Sequence, residues 1–132
     1  IFLFDPKNKT LGLVHAGREG TRKKIIYSAL EKFYSKFNSS PDDILVLIGP
    51  SIGPCCYEVS PTLALQCAED GLVVLPGNRI DLWSSSISQL REQGIPPTNI
   101  FLDRECTSCL NNIYYSYRRG DKILRNFVIG VI

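Results

Sequence analysis

The sequence holds one histidine, His15, and no methionine among its 132 residues. A lone imidazole excludes any metal centre built from several histidines of this chain. No apolar run approaches the ~20 residues needed to span a membrane, so no membrane partner is expected. No charged leader is followed by an apolar core and a small-residue cleavage site. Net charge is only +2, which leaves no electrostatic footprint for nucleic acid or a membrane surface. The phosphate-binding loops are missing as well. There is no G-x-G-x-x-G, and the stretch from Gly17 to Lys24 lacks the G-K-[ST] ending that sets a lysine on phosphates. The five cysteines are Cys55, Cys56, Cys67, Cys106 and Cys109. An odd count without a secretion signal argues against a disulfide framework and for a reducing, cytoplasmic setting.

What is present suits one packed domain over residues 1–132. Hydrophobic residues make up 44% and charged residues 21%, so a core is available and disorder is not expected. The opening Ile1-Phe2-Leu3-Phe4 reads as the middle of a strand. Ile1 is therefore expected not to be the natural N-terminus, and the domain to be N-terminally truncated.

Ile1 to Phe4 is predicted as a buried strand, Asp5 to Lys9 as a turn, and Thr10 to Val14 as its hairpin partner. Thr21 to Phe37 has the clearest helical period, with Ile26, Leu30, Phe33, Tyr34 and Phe37 on one face. Thr21 is its expected N-cap. Arg22, Lys23 and Lys24 would then fill a first turn where the helix dipole disfavours cations. Ile44 to Ile48 reads as a central strand covered on both faces. Cys56 to Val59 is expected to be extended. Ser60-Pro61 signals a helix to about Asp70, closed by Gly71. Leu72 to Leu75 is ambiguous. Arg79 to Gln93 reads as a helix with Leu82, Ile87 and Leu90 in a stripe, ended by Gly94 and two prolines. Ile100 to Leu102 and Phe127 to Ile132 read as strands, the last one closing the fold. Interleaved strands and helices make the class α/β or α+β, with no repeat or linker.

Several motifs carry chemistry. His15-Ala16-Gly17-Arg18-Glu19-Gly20 places an imidazole where a strand turns into a helix. Gly49-Pro50-Ser51-Ile52-Gly53 fits the G-x-S-x-G of serine hydrolases, but Pro54 makes the required helix poor and the histidine precedes the serine. His15 with Cys55 or Cys56 has the residue types of a Cys–His nucleophile pair. Cys106-Thr107-Ser108-Cys109 is a C-x-x-C that could join Cys55 and Cys56 in a four-cysteine zinc site, although adjacent cysteines are poor chelators compared with a two-residue gap. Tyr114 to Arg119 offers aromatic rings beside arginines that fork onto phosphate or carboxylate.

Three segments together resemble one family. His15-Ala16-Gly17-x-x-Gly20 is similar to its H-A-G-W-R-G motif. The run from Ile48 to Val59 is similar to its I-G-P-x-I-G-x-C-C-Y-E-V. Cys106-Thr107 and Tyr115-Ser116-Tyr117-Arg118-Arg119 resemble its C-T and F-S-Y-R-R elements. The family is that of the purine nucleoside phosphorylases first labelled polyphenol oxidases, or laccase-domain proteins, and the resemblance spans nearly the whole chain. It implies a layered α/β fold with a mixed sheet and flanking helices, of the laccase-domain or cytotoxic-necrotizing-factor-like type. The implied activity is zinc-dependent phosphorolysis of adenosine, inosine, guanosine and methylthioadenosine, a transferase reaction, with hydrolytic adenosine deamination also assigned.

The resemblance makes His15 the metal ligand and catalytic position, the other ligands being a histidine and a cysteine upstream of Ile1. The expected partners are purine nucleoside, phosphate and the missing N-terminal part of the same protein. Arg118, Arg119 and Arg125 are candidate phosphate contacts, and Cys56, Tyr57 and Glu58 candidate pocket residues. Two departures stand out. Arg18-Glu19 replaces the family's Trp-Arg, and Glu19 would repel an anion. Leu124-Arg125 stands where Gly-Arg is usual, keeping the arginine and losing the glycine. The alternatives are a non-catalytic fragment that cannot hold metal, and a copper-dependent polyphenol oxidase.

Overall fold

The expected hairpin forms because Asp5 makes its own turn. In the computed structural model, which describes residues 1–132, the Asp5 carboxylate accepts the backbone N–H groups of Lys7 and Asn8 at 2.9 and 3.1 Å. The Asn8 side-chain amide adds a third bond at 2.8 Å. Such local bonds reverse the chain, so β1 (Phe2–Asp5) pairs antiparallel with β2 (Thr10–Leu13), Phe2 opposite Leu13.

The helix expected from Thr21 to Phe37 is two helices. Gly17 opens α1 (Arg18–Arg22), and α2 (Ile25–Phe37) begins after a break at Lys23-Lys24. Lys24 sits in the left-handed region at φ 55°, which an α-helix cannot pass through. Thr21 is thus not an N-cap. It is buried inside α1, and its hydroxyl donates to Ala16 O at 3.2 Å. The dipole conflict is relieved for Arg22, which lies in the last turn of α1, where a cation is favoured, while Lys24 stays at the start of α2 as its N-cap.

β3 (Leu45–Ile48) lies between β1, antiparallel, and β6 (Ile100–Leu102), parallel, giving a mixed sheet in the order β2-β1-β3-β6. Ser60 caps α3 (Pro61–Glu69) by accepting from Leu63 N–H at 3.3 Å. The stretch beginning at Arg79 is not helical from its start. Val73–Leu75 (β4) and Arg79–Asp81 (β5) form a small antiparallel hairpin. The helix α4 (Leu82–Glu92) then begins, capped by Asp81, which accepts from Ser84 N–H at 3.0 Å.

The main core sits between one sheet face and the helices. Leu3, Val46 and Ile48 pack with Ile26, Leu30 and Phe33 of α2 and with Leu90 of α4. Burying such side chains contributes about 1.5–3 kcal/mol each. A second cluster, Cys67, Leu72, Ile80 and Leu82, joins α3 to the small hairpin. β3 is central but not covered twice. Val46 and Ile48 are buried whereas Leu45 and Leu47 are exposed, because α2 and α4 lie on the same face. Phe127 to Ile132 pairs with no strand and is largely exposed, so the expected closing strand is absent. No helix is long and apolar enough to cross a membrane.

Candidate functional site

His15 follows β2 directly and is exposed, with the chain turning through Ala16 and Gly17 into α1. Two glycines make this turn possible by close approach. A Cβ on Gly17 would lie 3.1 Å from His15 Nε2 and crowd the nitrogen that a metal or proton would use. A Cβ on Gly20 would lie 3.0 Å from His15 O and push α1 off the backbone that precedes it. The glycines of the H-A-G-x-x-G pattern therefore keep the imidazole open and the first helix close.

Glu19 does not stand as an isolated negative charge. It pairs with Arg22 at 3.1 Å and Arg18 at 3.1 Å, and Arg22 also reaches Asp70 at 3.1 Å. The hydrogen bonds from Arg22, with Arg18 beside it, hold the Glu19 carboxyl below its ordinary range despite the opposing desolvation. α1 is tied inward by Gln89 of α4, whose side-chain amide donates to Thr21 O at 2.8 Å.

Among the remaining site candidates, Tyr57, Glu58 and Arg118 come together. The Arg118 guanidinium stacks over the Tyr57 ring at 5.1 Å and donates to Glu58 O at 2.8 Å. Burial pushes the Tyr57 hydroxyl up, against the pull of Arg18 and Arg118. Arg119 binds the chain itself. It donates to Thr107 O and Ser108 O, both at 3.0 Å, and pairs with Asp121 at 2.7 Å. Arg125 donates to Lys122 O and Leu124 O, both at 2.8 Å, and lies over the Tyr117 ring.

Ser51 has no elbow geometry. No helix follows it, and its hydroxyl accepts the Trp83 indole N–H at 2.6 Å. Cys56, expected in an extended segment, lies in a turn closed by its N–H to Gly53 O at 3.0 Å. That turn aims both adjacent thiols at one point. Cys109 Sγ lies 3.6 Å from Cys55 Sγ and 3.4 Å from Cys56 Sγ. Together with Cys106, the four sulfurs lie within 4.8 Å of one another, and His15 is not among them. His15 thus stands in no group of three or more potential metal ligands of this chain, while four thiols cluster without it. Adjacent cysteines chelate poorly on extended backbone, where successive side chains point to opposite faces, and the turn here brings both to one side.

Three of these thiols, with Pro54, Trp83 and Arg104, line a shallow pocket of about 370 Å³. Burial would push the Cys106 thiol up, but N–H donors from Gly53, Cys109 and Ser108 outweigh it and bring it to about 7. Hydrogen bonding with Cys56, Cys55 and Cys106 pushes Cys109 up to about 12. Like charges crowded together cannot all ionise without a cation.

The family model described as multi-copper polyphenol oxidoreductase laccase matches residues 1–129. The chain is 34% identical to purine nucleoside phosphorylase YlmD of Geobacillus stearothermophilus over 90% of its own length and 47% of that protein. It is 31% identical to human purine nucleoside phosphorylase LACC1, again over 90% of the chain but 30% of that protein. The crystal structure of YlmD from Geobacillus stearothermophilus superposes with a TM-score of 0.81 at 31% identity, covering 92% of the chain and 48% of that structure. The chain thus spans half or less of these relatives, and it belongs to the multi-copper polyphenol oxidoreductase laccase family.

Proposed function

We propose that the protein carrying this chain is a purine nucleoside phosphorylase. Phosphate oxygen bonds to the ribose C1′, the glycosidic bond to the purine breaks, and the departing base takes up a proton. Relatives bearing that name support the reading. The observation within the chain that carries it is the open imidazole of His15, kept clear by Gly17 at the strand-to-helix turn.

His15 is the residue of this chain that would ligate zinc, with further ligands contributed from outside it. When bound, the metal would supply Lewis-acid polarisation. Tyr57 is the candidate surface for the flat purine, with Arg118 already stacked upon it. Arg118, Arg119 and Arg125 are the candidate phosphate contacts, and Arg118 is the freest to act because the other two bind several backbone carbonyls. Adenosine, inosine, guanosine and methylthioadenosine are the proposed substrates, and adenosine deamination is a second proposed activity. The proposed setting is the cytoplasm.

Two other readings have a specific observation behind them. With His15 in no group of three or more potential ligands, the chain by itself would be a non-catalytic fragment. The family's description as multi-copper polyphenol oxidoreductase laccase keeps copper and phenol oxidation in view, although one histidine suits copper poorly.

The test is release of free purine base from inosine and adenosine, with and without phosphate, by the protein carrying this chain. Phosphate-dependent release is expected, falling by on the order of 100-fold or more in His15→Ala. Ammonia released from adenosine reads the deaminase separately. Base release that ignores phosphate, or survives the loss of His15, overturns the proposal. Phenol oxidation requiring copper would favour the other enzyme reading.

A further inference from the structure

Apart from Cys56, a candidate pocket residue, the four-thiol cluster plays no part in the phosphorolysis reading, and His15 is not among its members. β3 and β6 run parallel, so both loops leaving their C-terminal ends arrive at one edge of the sheet. The pairing extends past the strands. Ser51 bridges to Cys106, with Ser51 N–H to Glu105 O at 3.3 Å and Thr107 N–H to Ser51 O at 3.0 Å. This ladder sets Cys55 and Cys56 of the first loop against Cys106 and Cys109 of the second.

We propose that Cys55, Cys56, Cys106 and Cys109 bind one tetrahedral zinc ion that ties the loop after β3 to the loop after β6.

Size supports it. Zinc–sulfur bonds of about 2.3 Å in a tetrahedron set the sulfurs about 3.8 Å apart. The sulfurs here lie at 3.4 and 3.6 Å for two pairs and within 4.8 Å for all of them. Only small rotations of the thiols are needed to close on an ion. Ligand chemistry supports it too, since four soft sulfurs select zinc over magnesium or calcium. The surroundings are built for anionic sulfur. Gly53 N–H donates to Cys106 Sγ at 3.2 Å. Arg119 grips the two carbonyls between Cys106 and Cys109, and so fixes that loop. Cys55 and Cys109 are exposed, which gives the ion a way in.

The balance is simple. Each thiol loses its proton to solvent as its sulfur bonds the ion, and no electron is transferred. Four thiolates around a divalent cation leave a net negative site, and Arg104 lines the same pocket as three of the thiols. The ion acts as a staple between two loops that otherwise meet through a few backbone bonds.

The experiment titrates the reduced full chain with cobalt(II) and then with zinc. One equivalent of cobalt is expected to give sulfur-to-cobalt charge-transfer absorption and the intense d–d bands of a tetrahedral site. Zinc should bleach both, and should protect the four thiols from a thiol reagent until a chelator is added. Cys109→Ser and Cys56→Ser should each weaken zinc binding by roughly tenfold or more. Cys109 is exposed, so serine there leaves the core intact, and circular dichroism checks the fold. His15→Ala should leave the cobalt spectrum unchanged, which separates this site from any metal at His15 and from the fate of the phosphorylase reading. The proposal is overturned if the cobalt spectrum lacks sulfur charge transfer. It is equally overturned if folded Cys109→Ser keeps the wild-type spectrum, or if the cysteines form disulfides that persist when zinc is supplied.

Discussion

Asp5 is a carboxylate with no exposed surface at the tip of a hairpin. Desolvation pushes its carboxyl up, but the nearby Ser39 hydroxyl and the donors of Asn8 and Lys7 outweigh it and hold it below the ordinary range. The sign of the pH effect follows. The unfolded chain keeps a pKa of about 4, so the unfolded state binds the proton first as pH falls. The stabilisation is complete above that value and is lost as pH drops through the lower folded value. Urea denaturation should therefore show a steady midpoint down to about pH 5 and a fall below about pH 4. Asp5→Asn should lower stability at neutral pH by about 1–2 kcal/mol and flatten the acid limb. The turn at Asp5 was legible from residue types alone. The pairing of Glu19 with Arg18 and Arg22 was only half legible, because Asp70, which helps hold Arg22, is distant in sequence. Glu19 was therefore read as a bare repulsive charge.

At the scale of elements, the break between α1 and α2 separates what periodicity shows from what the backbone does. The apolar stripe of α2 begins at Ile26, and nothing in the spacing before it distinguishes one helix from two. Lys24 takes a left-handed conformation that costs a non-glycine residue about 1–2 kcal/mol. Lys24→Gly should thus raise stability slightly or leave it unchanged. Lys32→Gly, at an exposed position within α2, should lower it by about 1 kcal/mol. Thermal unfolding followed by circular dichroism reads both, and equal losses at the two positions would contradict the break. The β4–β5 hairpin had a sequence signal in Pro76-Gly77-Asn78. Gly77 and Asn78 both take positive φ, 79° and 56°, which suits the tight three-residue loop between the paired Leu75 and Arg79. The signal was masked because Arg79-Ile80-Asp81 merges into the helical stripe that follows. The same limit applies to the cysteine loops. Reading Cys56 to Val59 as extended hid the turn that brings the thiols of Cys55 and Cys56 to Cys109.

Across the whole molecule, the open face of the main sheet is the largest consequence of the fold. Leu13, Leu45, Leu47 and Phe101 are exposed there, beside half-buried Phe2 and Phe4. The register explains the patch, since Phe2 lies opposite both Leu13 and Leu47, and Leu47 opposite Phe101. The C-terminal segment meets this face where Gly130 approaches Leu11 of β2 and Phe2 of β1. A contiguous apolar face of this kind drives association. The chain of 132 residues should bind a hydrophobic dye and self-associate in sedimentation experiments. Leu47→Lys and Phe101→Lys should reduce both. A monomer that binds no dye would mean that the C-terminal segment folds over the face instead.

The amino-acid sequence by itself determined the alternation of strands and helices, the hairpin at Asp5, the Ser60 cap, the glycine stops and the place of His15 at a strand-to-helix turn. These are local matters, governed by residues within a few positions of one another. Tertiary structure alone decided which face of β3 is covered and which cysteines assemble. Each of these depends on segments far apart in sequence, brought together by the parallel pairing of β3 with β6 and by helices packing on one side of the sheet. Side-chain period records which residues share a face. It does not record what, if anything, covers that face.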